Sequence, residues 1–199
     1  MTTRTPKQSR AIRTVASILD ASTRLLTNKG YEGLTTNTVA AEAGINISTL
    51  YSYFPNKEAI LERLLERYND QLVDQLQPLL ANNPNKNERI GHIIETQAQL
   101  MIDEPWIRAL KEALVAVPAL HELQAHAIQH LINSVLVQIP QEIAGPKKVS
   151  GDHQQVVMQL LVDTFNRGAL MIAKSQPGLR KAMLAEVKLL INSYLDNYR

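Results

Sequence analysis

Apolar residues recur every three or four positions through nearly the whole chain, and nowhere do they alternate with period two for long enough to build a strand. That pattern restricts the architecture to helices packed on helices, an all-α fold. With 199 residues and 45% apolar content, the chain can bury a real core. The absence of cysteine rules out a disulfide framework and a Cys-ligated zinc site, and it permits a reducing compartment. No uninterrupted apolar run approaches the roughly 18 residues that span a bilayer. The basic, polar start MTTRTPKQSRAIRT is unlike a signal peptide. The expectation is a cytoplasmic protein without membrane contact.

Breaks in the pattern divide the chain. Ser9 can cap a first helix whose stripe is Ile12, Val15, Ile18, Leu19, Leu25 and Leu26, and NKGYEGLTT ends it with two glycines. A long helix starts near Asn56, an N-cap candidate with Glu58 in the first turn, and PLLANNPNKN is expected to break it. Further helices are expected over roughly 88–103, 105–117 and 119–139, with Pro105 and Pro118 as boundaries. PQEIAGPKKVSGDH reads as the longest loop, and two last helices, about 154–175 and 179–197, flank QPG.

Charge separates the two ends. Residues 1–57 hold seven Lys/Arg against three acids, and the remainder fourteen against sixteen, so the first segment is +4 and the rest −2. A basic module on a slightly acidic body suits an anionic partner at the N-terminal end, although four charges also lie within the scatter of ordinary surfaces.

Within that basic segment, TTNTVAAEAGINISTLYSYFPNKEAI holds two short helical patterns joined at Gly44. Thr36 can cap the first, whose inward face is Val39, Ala40 and Ala43. Asn46 can cap the second. A small residue where two helices cross (Ala40), a residue tolerant of positive φ four positions on (Gly44), and apolar residues at Val39, Ile45 and Leu50 are what a helix-turn-helix requires. An ordinary αα-turn favours the same residue types.

The stretches GYEGLTT, VA, EAGI, STLYSYF and NKEAI, in ungapped spacing over about residues 9–68, resemble the N-terminal domain of the TetR family of transcriptional repressors. Leu26 stands where an aromatic is common in that family. Ile47 and Ser48 occupy recognition positions that vary among its members. The resemblance implies a three-helix DNA-binding domain over 8–68 and a helical ligand-binding and dimerisation domain over 69–199. It also implies a phosphate-contact role for Tyr51 and Tyr53, a homodimer formed through the last two helices, and a palindromic DNA operator. Chemistry adds detail to the interface. The Thr36 hydroxyl can meet a phosphate and Lys57 can add charge at a helix start, while Ile47, Ser48 and Thr49 face the major groove as base readers. Phe54 reads as core, and Tyr51 as a phosphate contact ahead of Tyr53. Arg4, Lys7 and Arg10 form a basic arm that could touch DNA or remain a solvated tail.

Catalysis has little foothold. His126 and His130 lie four apart on a helix, with Glu122 four before His126, a spacing that could hold a metal in a helical enzyme or small-molecule carrier. The paired Glu-x-x-His motifs of a di-metal bundle, a nucleophile elbow and a phosphate-cradling glycine loop are all missing. No cofactor is expected. Polar or polarizable residues do lie among apolar neighbours at Gln97, Met101, Trp106, His126, His130 and Asn166, a mixture suited to a small-molecule site. Their surroundings favour an apolar or weakly charged effector. The last two helices carry more apolar surface than one domain needs, with Phe165, Leu190 and Tyr194 as candidate dimer contacts.

Overall fold

The computed structural model describes residues 6–82, 86–134 and 151–197, which form helices and contain no strand. The elements are α1 (Pro6–Lys29), α2 (Thr36–Glu42), α3 (Ile47–Tyr51), α4 (Lys57–Asn82), α5 (Lys86–Asp103) and α6 (Pro105–Ala116). They continue with a 3₁₀ turn (Pro118–Leu120), α7 (His121–Ser134), α8 (Gly151–Lys174), a second 3₁₀ turn (Pro177–Leu179) and α9 (Arg180–Asp196). They group into two compact units, Met1–Arg67 with Pro105–Leu123, and Tyr68–Glu104 with Gln124–Arg199.

The first unit is built on α1. Ile18, Ala21, Leu25 and Leu26 are buried there, and the unit's core also takes in Leu34, Val39, Ala40, Leu50, Phe54, Ile60, Leu61 and Leu64. α2 and α6 both pack on α1, and α6 buries Trp106, Ile107, Leu110, Ala113 and Leu114. Polar ties fix the outside: Arg24 of α1 pairs with Glu42 of α2 at 2.7 Å, and Arg67 of α4 pairs with Asp20 of α1 at 2.9 Å. The Arg67 guanidinium also lies 6.0 Å from the centre of the Trp106 ring, so one side chain joins α1, α4 and α6.

The second unit packs α5 against α8 and α9, and α8 against α9. Its core includes Leu72, Leu76, Ile93, Ile94, Met101, Leu161, Val162, Phe165, Ala169, Ile172, Ile191 and Leu195. Gly168 sets the α8–α9 approach, because a Cβ at that position would lie 2.7 Å from a Val187 methyl. Contrary to the expectation that no apolar run approaches a bilayer's length, the stretch Val156–Lys174 is long and apolar enough to cross one by length and composition, with Asp163 and Arg167 inside it. Its packing against α5 and α9 and its 56% burial make it a core helix.

Several boundaries differ from expectation. α1 starts at Pro6, a residue suited to a first helical position because its missing N–H would have no partner there, so Ser9 lies inside the helix. Ile12, expected in the inward stripe, is 45% exposed. α4 ends inside PLLANNPNKN, as expected, although it passes through Pro78 and runs on to Asn82 before α5 starts at Lys86. Pro78 and Asp74 are both exposed, so the carbonyl that loses its donor can take water instead. The helix expected over 119–139 opens with the 3₁₀ turn, and residues 135–139 lie outside the described set, as does most of the expected loop. Gly151–His153 of that loop belong to α8.

Candidate nucleic-acid interface

Three threonines and an asparagine at residues 35–38 offer competing caps, and the structure uses Thr35. Its side chain accepts from the Thr38 N–H at 3.1 Å, and the Thr38 hydroxyl oxygen accepts from the Thr35 N–H at 2.9 Å, closing a reciprocal capping box. Thr36, expected to be the cap, is instead the first helical residue. Its hydroxyl is left to the surface, 3.2 Å from that of Tyr51.

The turn follows directly. Gly44 sits at φ +65°, a region that side chains with a Cβ adopt at a cost, and the Ile45 N–H reaches back to the Ala40 carbonyl at 3.0 Å. Asn46 starts α3 through its backbone, its carbonyl accepting from Thr49 and Leu50 at 2.9 and 3.1 Å. Its side chain makes no cap bond, contrary to expectation, and remains exposed. α3 is five residues long and buries only Leu50. Ser48 is exposed, and Ile47 and Thr49 are half-buried, so an uncharged, hydroxyl-bearing surface faces outward.

Donors flank that surface. Tyr51 is 51% and Tyr53 36% exposed, whereas Phe54 is buried. Asn56 caps α4 by accepting from the Ala59 N–H at 2.8 Å. Lys57, next along, places its ammonium 3.8 Å from the centre of the Tyr31 ring. Tyr31 was absent from the sequence-derived site. It belongs to GYEGLTT, which reads as a helix terminator, and only the fold brings it beneath Lys57. Of the basic arm, Arg10 is exposed, and Arg4 and the side chain of Lys7 lie outside the described residues.

The residues expected to bind a small molecule are dispersed. Gln97 and Met101 lie one turn apart on α5, both buried, and the Gln97 side-chain oxygen has no hydrogen-bond partner among the described residues. Trp106 is a core ring of the first unit. Asn166, half-buried, donates from Nδ2 to the Val162 carbonyl at 3.0 Å. His126 is exposed, and the His130 side chain lies outside the described set. No group of three or more metal-binding side chains occurs among the described residues. Of the expected dimer contacts, Phe165 is buried within its own unit, Tyr194 is half-buried and Leu190 is 61% exposed. Leu190 borders an open groove of about 790 Å³ between α8 and α9.

Comparison with known proteins agrees with this geometry. Residues 18–64 match the family described as bacterial regulatory proteins, tetR family. Nucleoid occlusion factor SlmA of Haemophilus influenzae (strain PittGG) is 32% identical over 72 residues, 36% of this chain and 33% of that protein, so the chain spans about a third of that curated relative's length. The HTH-type transcriptional regulator EthR of Mycolicibacterium smegmatis is 29% identical over 189 residues, 89% of this chain and 85% of that protein. The fold is shared with FadR from Bacillus subtilis, solved in complex with stearoyl-CoA, at a TM-score of 0.67 and 17% identity over 86% of this chain and 96% of that one. The tetR-family match thus covers the second half of α1, all of α2 and α3 and the start of α4, the elements that form the helix-turn-helix, and the chain as a whole shares the fold of tetR-family regulators.

Proposed function

We propose that the protein is a homodimeric repressor in the cytoplasm that reads a palindromic operator with two copies of α3 and is released by a small effector. The observation that carries this reading is the face formed by exposed Ser48 and Tyr51 with half-buried Thr36 and Thr49, placed by the Gly44 turn and the Thr35–Thr38 box. Phosphates fall to Thr36, Tyr51, Tyr53 and Lys57. Bases fall to Asn46, Ile47, Ser48 and Thr49, whose hydroxyls donate or accept and whose methyls pack on thymine. A five-residue helix without charge suffices because grip and readout belong to different side chains.

Two copies are needed because one such helix reads too few base pairs for a specific site. The exposed apolar residues Leu160, Met171, Leu189 and Leu190 on α8 and α9 are the surface a second copy would cover. The effector reading rests on Gln97. A buried carbonyl oxygen without a donor costs free energy unless a bound molecule or water supplies one, and Met101 beside it offers apolar contact. An apolar or weakly charged compound suits that pair.

Selection of bound duplexes from a random pool tests the function. Enrichment of an inverted repeat is the expected outcome; recovery of a single half-site, or of no sequence preference, overturns it.

A further inference from the structure

The groove between α8 and α9 is apolar along Met171, Met183, Val187 and Leu190, yet charged side chains stand at its edge: Asp163 and Arg167 on α8, Glu186 on α9. Asp163 and Arg167 have the i,i+4 spacing and order that favour an ion pair on one helix. They do not form one: the Asp163 carboxylate accepts from Gln159 Nε2 at 3.1 Å. Among the described residues, no ion pair takes in Arg167 or Glu186, and both are exposed. The close contact of Gly168 with Val187 puts the residues just before each, Arg167 and Glu186, at one level of the groove. Opposite charges at one level, unpaired among the described residues and bordering a surface that needs covering, are complementary to the same surface rotated by a twofold axis.

We propose that Arg167 of each protomer pairs with Glu186 of the other across the dimer twofold, and that this reciprocal pair selects a second copy of this chain over related chains with a similar apolar face. The inference rests on the dimer reading above and adds to it a partner code. A twofold interface makes every contact twice, so one reversed charge produces two like-charge encounters. Apolar helix faces are alike from chain to chain and supply adhesion, whereas a charge pair in register discriminates. Asp163 is the weaker candidate because its carboxylate is already bonded.

The test uses charge reversal in the full-length protein, with subunit mass followed by sedimentation and folding by circular dichroism. Arg167→Glu and Glu186→Arg should each keep their helix content, since both residues are exposed, and should each dimerise at least about tenfold more weakly than the parent. Mixing the two variants should restore a heterodimer, because each reversed residue then meets its opposite. The double variant should form homodimers yet fail to exchange subunits with the parent. Single variants that dimerise like the parent, a double variant that stays monomeric, or rescue of Arg167→Glu by Asp163→Arg in place of Glu186→Arg each overturn the pairing. Leu190→Asp separates the two levels. If it yields folded monomers while the charge variants dimerise normally, only the pairing fails; if it too remains dimeric, the dimer face itself is elsewhere.

Discussion

The hydroxyl of Thr36, at the start of α2, lies 3.2 Å from the hydroxyl of Tyr51, at the end of α3. Two helices that pack on each other and bury Ala40 and Leu50 are thus also joined at the surface. Each hydroxyl holds the other's orientation and keeps spare capacity for a phosphate oxygen.

Tyr51→Phe and Thr36→Val should each weaken binding to cognate and random duplexes alike, by roughly 1 kcal/mol. Their combined loss should be smaller than the sum, because either change also disorders the remaining hydroxyl. Fluorescence anisotropy on both duplexes, completed as a double-mutant cycle, measures this. Strictly additive losses would show that the pair does not act as a unit.

Lys57 and Thr49 should give opposite signatures. Lys57→Ala removes one phosphate charge and should lower the slope of log affinity against log salt by about 1 for every duplex. Thr49→Ala should leave that slope intact and cost roughly 1–3 kcal/mol on the cognate site only. Tyr31→Leu should act as a weak form of the Lys57 change, since the ring beneath the ammonium restrains it. Equal losses on cognate and random DNA for Thr49→Ala would remove α3 from the readout.

Gly44 offers a test of the turn itself. Nothing lies within 4 Å of where its Cβ would be, so Gly44→Ala adds no clash and its cost is conformational, about 1–2 kcal/mol for a left-handed residue with a Cβ. Gly44→Asn should cost less, because asparagine tolerates that region. Urea unfolding of the three proteins ranks them, and equal stabilities would show that the turn relaxes away from φ +65°.

The head was legible because its geometry depends on near neighbours. Ala40, Gly44, Ile45 and Leu50 do what their spacing predicts, Asn56 caps α4, and Phe54 is core. Local ambiguity caused the misses there: Thr35, Thr36 and Thr38 all carry capping hydroxyls, and only the backbone path selects Thr35. The stretch PLLANNPNKN does end α4, but only past Pro78, whose exposed site lets the orphaned Asp74 carbonyl take water. Relations distant in sequence left no trace. Tyr31 beneath Lys57, Trp106 beneath Arg67 and Gly168 against Val187 arise from packing between helices, which no periodicity reports.

An effector that releases the operator must obey linkage: it should bind the DNA-bound protein less tightly than the free protein, by the factor through which it weakens DNA binding. Gln97→Leu should reduce effector affinity while leaving operator affinity unchanged, and it should raise thermal stability by removing the orphaned oxygen. Calorimetric titration with and without saturating operator checks the first statement. Effector affinity unaffected by DNA contradicts it.

The most direct measurement of the central claim is the stoichiometry and spacing dependence of operator binding by the full-length protein. With duplexes carrying the selected inverted repeat, analytical ultracentrifugation should show protomers bound in pairs. Inserting about half a helical turn, roughly 5 base pairs, between the half-sites should abolish high affinity, while a full turn should restore part of it. A single protomer bound with full affinity, or affinity indifferent to half-site spacing, would contradict a dimer that reads DNA through two copies of α3.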